Sequence, residues 1–274
     1  MNLFSKDLYK IEIRRNFKSN MIWSFALGLS LFLIVAIYPM VAEMMDALNE
    51  MLEYLESIDS SFIAMMESFG GIPDNVMEYF ATEGALFLQL LGGIYAAMLG
   101  FGIVSKDEKE NTVEVIYVLP ISRAKLLTTK MLSVATLLFI FTFIQMLLTQ
   151  VGFIIVAPGE SHLILWEFGL FDYVMFLMIA YLSMGLAMFL KPNKSPLISI
   201  AIPFPLYIIT MISSATNNDF LKALKYISPF TFTEPVGFLK EGHGFELINF
   251  LTFSALTIIV VILSFKKFRK REMI

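Results

Sequence analysis

Six long apolar runs constrain this chain more than any other feature. Met21–Val41, Ala85–Val104, Met131–Ala157, Phe168–Leu190, Pro196–Ser214 and Leu247–Phe265 are each apolar and nearly uncharged. A helix rises about 1.5 Å per residue, so about 20 apolar residues cross a hydrocarbon core of about 30 Å. All six runs approach or exceed that length. Soluble helices show an apolar stripe, not a surface that is apolar all round. With 57% hydrophobic and 16% charged residues, the chain also lies outside the usual balance of soluble domains. The runs therefore predict an all-α polytopic membrane protein of six transmembrane helices, a single membrane domain over residues 1–274. The first run starts late, is long and lacks a small-residue cleavage signature, so the N-terminus is expected to stay on the chain. Cysteine is absent, which excludes disulfides, thiolate metal sites and cysteine nucleophiles.

The basic residues set the expected orientation. Lys6, Lys10, Arg14, Arg15 and Lys18 precede the first run, and no Lys or Arg follows until Lys106. The next connection carries Lys106, Lys109, Arg123, Lys125 and Lys130; Lys191 and Lys194 follow the fourth run, and Lys266, Lys267, Arg269, Lys270 and Arg271 the sixth. Basic residues accumulate on the cytoplasmic side. Both termini and the second and fourth connections are thus expected inside, which places 17 of the 20 basic residues there. Only Lys222, Lys225 and Lys240 fall outside.

Two flanking segments read as amphipathic helices. Residues 1–19 place Phe4, Leu8 and Ile11 on one face and Lys6, Lys10 and Arg14 on the next. A basic helix of this kind suits the inner membrane interface, against anionic lipid. The outer loop at 43–83 holds ten acidic residues and no base, with Met44, Leu48, Met51, Leu52, Leu55 and Phe62 at helical spacing before "GGIPDN" breaks the pattern. A solvated lip and an acidic vestibule for a cationic cargo both satisfy that composition.

Polar residues inside the spans are few. Gly92, Ala96 and Gly100 stand four apart, a small face that admits a close neighbour, either within the bundle or on a second subunit. Pro39, and Pro203 with Pro205, favour helix breaks. Gln89, Gln145, Thr149 and Gln150 are candidates for interhelical hydrogen bonds or a pathway lining, and Asp172, an ionisable residue early in the fourth span and near the outer interface, is a functional candidate. The dipeptide Gly-Lys never occurs, so the chain builds no phosphate loop of its own. His162 and His243 fall in outer loops with no metal-site pattern, and no span holds a histidine. No catalytic residue, metal ligand or cofactor-binding residue is expected.

The one dense charged insert is "KDEKENTVEVIYVLPISRAKLLTTK", Lys106 to Lys130. Lys106 and Glu110 pair at i,i+4, Glu110 and Glu114 repel at the same spacing, and Val113, Ile116 and Tyr117 make an apolar stripe. The second helix is expected to run on to about Val118, where Pro120 disfavours helix at Leu119. Ser122 is a good N-cap for a helix that leads into the third span. A tight cytoplasmic hairpin over 105–130, with "LPIS" at its tip, follows from these signals.

The insert resembles the segment joining spans two and three in ABC-2 type permeases of ABC transporters. There an acidic run precedes Gly-Thr-x-Glu, a hydrophobic stretch, Pro-[Ile/Val/Leu]-Ser-Arg and a later Lys. Thr112, Glu114, Pro120, Ser122, Arg123 and Lys130 match, and Asn111 stands where Gly is usual. The likeness extends to "ESFGG", "KPNKSP" and "LKYISPFTF", and so over nearly the whole chain. It implies an exporter subunit whose hairpin docks on a separate cytoplasmic ATPase, the expected contact residues being Glu108, Glu110, Thr112, Glu114, Leu119, Pro120, Ile121, Ser122 and Arg123. It further implies that ATP and Mg are held by that partner, that a second permease copy or homologue completes the pore, and that the chain resides in a prokaryotic cell membrane. Membrane lipid is a partner on this reading and nucleic acid is not. Family members move drugs, antimicrobial peptides, lipids, polysaccharides and ions; the acidic lip and the Phe- and Met-rich spans lean toward an amphipathic or cationic cargo. A sensor or scaffold whose hairpin recruits a partner without ATPase activity accounts for the same hairpin.

Overall fold

A computed structural model of the chain describes residues 4–44, 73, 75–109, 122–159, 162–190, 194–214, 216, 218–236 and 245–270. The acidic helix expected after the first span, the apex of the charged insert and His243 lie outside the described residues. Six helical segments are long and apolar enough to cross a membrane: Lys6–Met44, Val76–Asp107, Arg123–Val156, Leu163–Phe189, Pro196–Ser213 and Leu247–Phe268. Their principal helices are α1 (Lys6–Ala36), α2 (Leu86–Lys109), α3 (Arg123–Val156), α4 (Leu163–Phe189), α5 (Pro203–Ser214) and α6 (Leu247–Lys270). Among the described residues the only β pairing is an isolated bridge between Thr233 and Phe245.

α1 differs from the separate interfacial helix expected over 1–19. It runs unbroken for 31 residues, about 46 Å at the usual rise, which exceeds a hydrocarbon core by about 16 Å. The expected apolar face also differs, since Ile11 is 51% exposed. What packs inward is a row at four-residue spacing: Leu8, Glu12, Asn16, Asn20 and Ser24, continued by Leu27, Gly28, Leu31 and Val35. The helix is interrupted at Ile37 and resumes over 38–44; Pro39, two residues on, has a ring nitrogen that cannot donate to the preceding turn.

α1 packs most extensively on α3, and α2 on α4. Both pairs run parallel, as alternate spans of one chain must. The Ser5 amide donates to Thr129 Oγ1 at 3.1 Å and the Tyr9 hydroxyl to Thr136 Oγ1 at 2.8 Å. Further along the same pair, a Cβ on Gly152 would meet Val35 at 3.2 Å.

Span five is broken, as its prolines predict. Pro196–Ala201 is a 3-10 helix capped by the Ser195 hydroxyl, and α5 begins afresh at Pro203 after a turn at Ile202. Six residues at about 2.0 Å and twelve at about 1.5 Å give roughly 30 Å, enough to span.

The connection from α5 to α6 is not a solvated outer loop throughout. Phe230 and Phe232 are fully buried, and Tyr207 stands edge-on to Phe230 at 5.5 Å. Buried irregular backbone needs partners, and side chains supply them. Ser228 donates to the Leu206 carbonyl at 2.8 Å, and Thr231 to the Lys225 carbonyl at 2.7 Å. Asn249 of α6 donates to Thr231 Oγ1 at 2.9 Å.

Candidate functional site

The charged insert enters and leaves the bundle on helices that overrun their apolar runs. α2 continues to Lys109 and α3 begins at Arg123. Glu108 falls in the last turn of α2. Glu110, Thr112, Glu114, Leu119, Pro120 and Ile121 lie outside the described residues. Ser122 is the N-cap expected of it, its hydroxyl accepting from the Lys125 amide at 3.2 Å. Arg123 reaches across the bundle and donates from Nη1 to the Phe268 carbonyl at 3.0 Å. A cation suits that place, because the last carbonyls of a helix are unpaired and carry its negative pole.

Just inside this base, four charged side chains from three helices meet. Lys130 Nζ of α3 binds the Glu12 carboxylate of α1, Asp107 Oδ2 of α2 at 2.7 Å, and the Ile103 carbonyl at 2.6 Å. Arg15 Nη1 holds the other Asp107 oxygen at 2.7 Å. The Glu12 and Lys130 side chains are 1% and 2% exposed. Two acids and two bases balance, which is how buried charge is tolerated. Beside them Lys106 Nζ donates to Asn16 Oδ1 at 3.0 Å, and one level deeper the Tyr95 hydroxyl donates to Asn20 Oδ1. These bonds, with the Arg123 tie, bring the ends of α1 and α6 to the same end of the bundle.

A second buried polar group lies toward the opposite end. Gln89 Nε2 donates to Asp172 Oδ1 at 3.1 Å and to the Thr233 carbonyl at 3.1 Å. One amide thereby joins α2, α4 and the tucked α5–α6 connection. Both Gln89 and Asp172 are buried.

The remaining sequence candidates lie along α2 and α3. A Cβ on Gly92 would lie 2.3 Å from the Phe176 ring, and one on Gly100 would lie 2.0 Å from the Ala180 carbonyl oxygen. Ala96, between them, is fully buried. The small face of α2 therefore meets α4 of its own chain. Gln145 and Thr149 share a buried face as their spacing predicts; Thr149 donates to the Gln145 carbonyl at 2.9 Å, while the Gln145 amide has no hydrogen-bond partner among the described residues. Gln150 Nε2 lies 2.9 Å from His162 Nδ1, just ahead of α4. Among the described residues, no group of three or more His, Cys, Asp or Glu could hold a metal ion.

Sequence reasoning misses the ion quartet. Arg15 and Lys130 enter it only as orienting or motif residues, and Glu12 does not enter it at all. One signal is present: Glu12, Asn16, Asn20 and Ser24 recur every four residues, a row of polar side chains stacked turn upon turn. Thr233 carries no signal, because its backbone oxygen is the acceptor.

A family model described as ABC-2 family transporter protein matches residues 7–273. No match is found among curated proteins.

Proposed function

Because the chain belongs to the ABC-2 transporter family, we propose that it is the permease half of an ATP-driven exporter, working from a cell membrane with ATPase subunits on separate polypeptides. Its six spans form half of a pathway that a second copy or homologous permease completes. On this reading both termini and the α2–α3 hairpin face the cytoplasm, as the basic residues favour. The ATPase engages the hairpin around Glu114, Pro120 and Arg123. ATP and Mg stay with that partner, because no phosphate loop exists here.

The observation that carries this reading is how firmly the hairpin base is fixed. A connector between two spans does not need its legs tied to a third helix by buried charge. A lever does, since force entering at the tip is lost if the base yields. Lys130 and Asp107 tie the legs together and to α1.

The test is purification of the full chain from its native membrane, followed by measurement of Mg-ATP hydrolysis in the complex. Co-purification of an ATPase is expected, and the Glu114→Arg/Arg123→Glu variant should lose it while still inserting. A hairpin partner that hydrolyses no ATP would replace export with a sensing or scaffolding role.

A further inference from the structure

We propose that Glu12, Arg15, Asp107 and Lys130 form a latch that makes the hairpin-end segments of α1, α2 and α3 move as one body. The consequence for transport, that displacement of the hairpin reaches α1 directly, rests on the coupling role proposed above; the latch itself does not.

The connectivity of the four side chains is a closed ring. Lys130 of α3 contacts Glu12 of α1 and Asp107 of α2. Asp107 uses its second oxygen for Arg15 of α1, and Arg15 comes back to within 4.0 Å of Glu12. Each of the three helices is therefore bonded to both others. α1 continues the arrangement along its inward row, with Asn16 taking Lys106 and Asn20 taking Tyr95. Because α1 and α2 run antiparallel, successive turns of α1 read successively earlier turns of α2.

Charge gives this junction a property that apolar packing lacks. Separating any two of the helices breaks an ion pair at a junction where Glu12 and Lys130 are almost wholly buried, so intermediate positions are penalised steeply. Apolar side chains of equal volume would stabilise the contact as well or better, but they slide. A buried polar set fixes one register, the best-attested use of such groups. The end of the bundle is thus held in one arrangement, so that a displacement applied to one of the three helices is passed to the other two.

The chain contains no cysteine, so labels can be placed without altering a native thiol. Spin labels at Lys10→Cys of α1 and Leu132→Cys of α3, both at exposed positions, report the relative position of the two helices in lipid nanodiscs. The unmodified latch should give a single narrow distance distribution. Lys130→Met alone should lower thermal stability, since two buried acids then share one base. Glu12→Gln with Lys130→Met leaves the neutral Arg15–Asp107 pair; it should melt near the parent temperature yet lose the narrow distribution. Should that variant not fold, Glu12→Leu with Lys130→Met, which removes the same tie between α1 and α3 without leaving a buried amide, is read in the same way. A parental distance distribution in the folded double variant overturns the latch, for packing alone would then hold the register. Failure to find an ATPase with the chain would overturn the transport reading and leave this distance measurement standing.

Discussion

Gly100 of α2 lies against Ala180 of α4 so closely that a Cβ on it would sit 2.0 Å from the Ala180 carbonyl oxygen. The obstacle is backbone, which cannot rotate aside. Gly100→Ala should therefore force the helices apart and cost about 1–3 kcal/mol, the usual penalty of overpacking. Gly102→Ala is the control. A Cβ there would meet nothing nearer than Pro196 Cγ at 3.7 Å, an ordinary contact, and alanine favours helix by about 1 kcal/mol. Thermal melts of the purified variants in one detergent should rank Gly102→Ala at or above the parent and Gly100→Ala well below.

The Gln89–Asp172 pair predicts an asymmetry. Gln89→Leu removes the amide that serves Asp172 and the Thr233 carbonyl together, leaving buried acceptors unpaired at about 1–3 kcal/mol each. Asp172→Asn keeps an oxygen for Gln89 and should be milder. Gln89→Leu with Asp172→Leu should cost less than the sum of the single changes, as neighbours sharing a bond do. Melting temperatures of the parent, Gln89→Leu, Asp172→Asn, Asp172→Leu and the double variant decide this, and strict additivity would argue that the pair is incidental.

Ser122 caps α3 through the Lys125 amide. Ser122→Ala should weaken the first turn by about 1 kcal/mol, and Ser122→Asp should restore it. Hydrogen exchange resolves this locally, with faster exchange at Lys125 expected in the alanine variant alone.

Lys225 and Glu246 join the ends of the α5–α6 connection at 2.8 Å. The hydrogen bond from Lys225 to Glu246 holds the ammonium above the ordinary lysine value, partly offset by burial. A raised folded value means the stabilisation is complete below the unfolded lysine value, about 10.4, and fades as pH rises through the folded one. No loss through Lys225 is therefore expected between pH 6 and 9, roughly the range in which lysine stays charged. The side chains are 34% and 41% exposed, so salt screens the pair. Lys225→Met should be near neutral in melts at high salt and measurable only at low salt.

The spans, the broken fifth helix and the Ser122 cap are legible in the sequence because each is a local property. Hydrophobic run length, a proline's missing donor and a hydroxyl beside the first turn act within a few residues. The small face of α2 is legible as a face but not as a contact, since Gly92, Ala96 and Gly100 fit a neighbour of the same chain or of another equally well. The first helix misleads for a related reason. Its apolar residues Phe4, Leu8 and Ile11 suggest one face, yet the row that packs includes Glu12 and Asn16, whose burial makes sense only once Lys130 and Lys106 are known to face them.

The sequence by itself determined that this chain crosses a membrane six times, that its charge gathers between spans two and three, and that it carries no phosphate loop. Tertiary structure decided which polar groups meet. Glu12 and Lys130 are 118 positions apart, and Gln89 and Asp172 are 83 apart. The physical reason is that a helix fixes the direction of each side chain about its own axis, while the rotation and register of one helix against another depend on every residue between them.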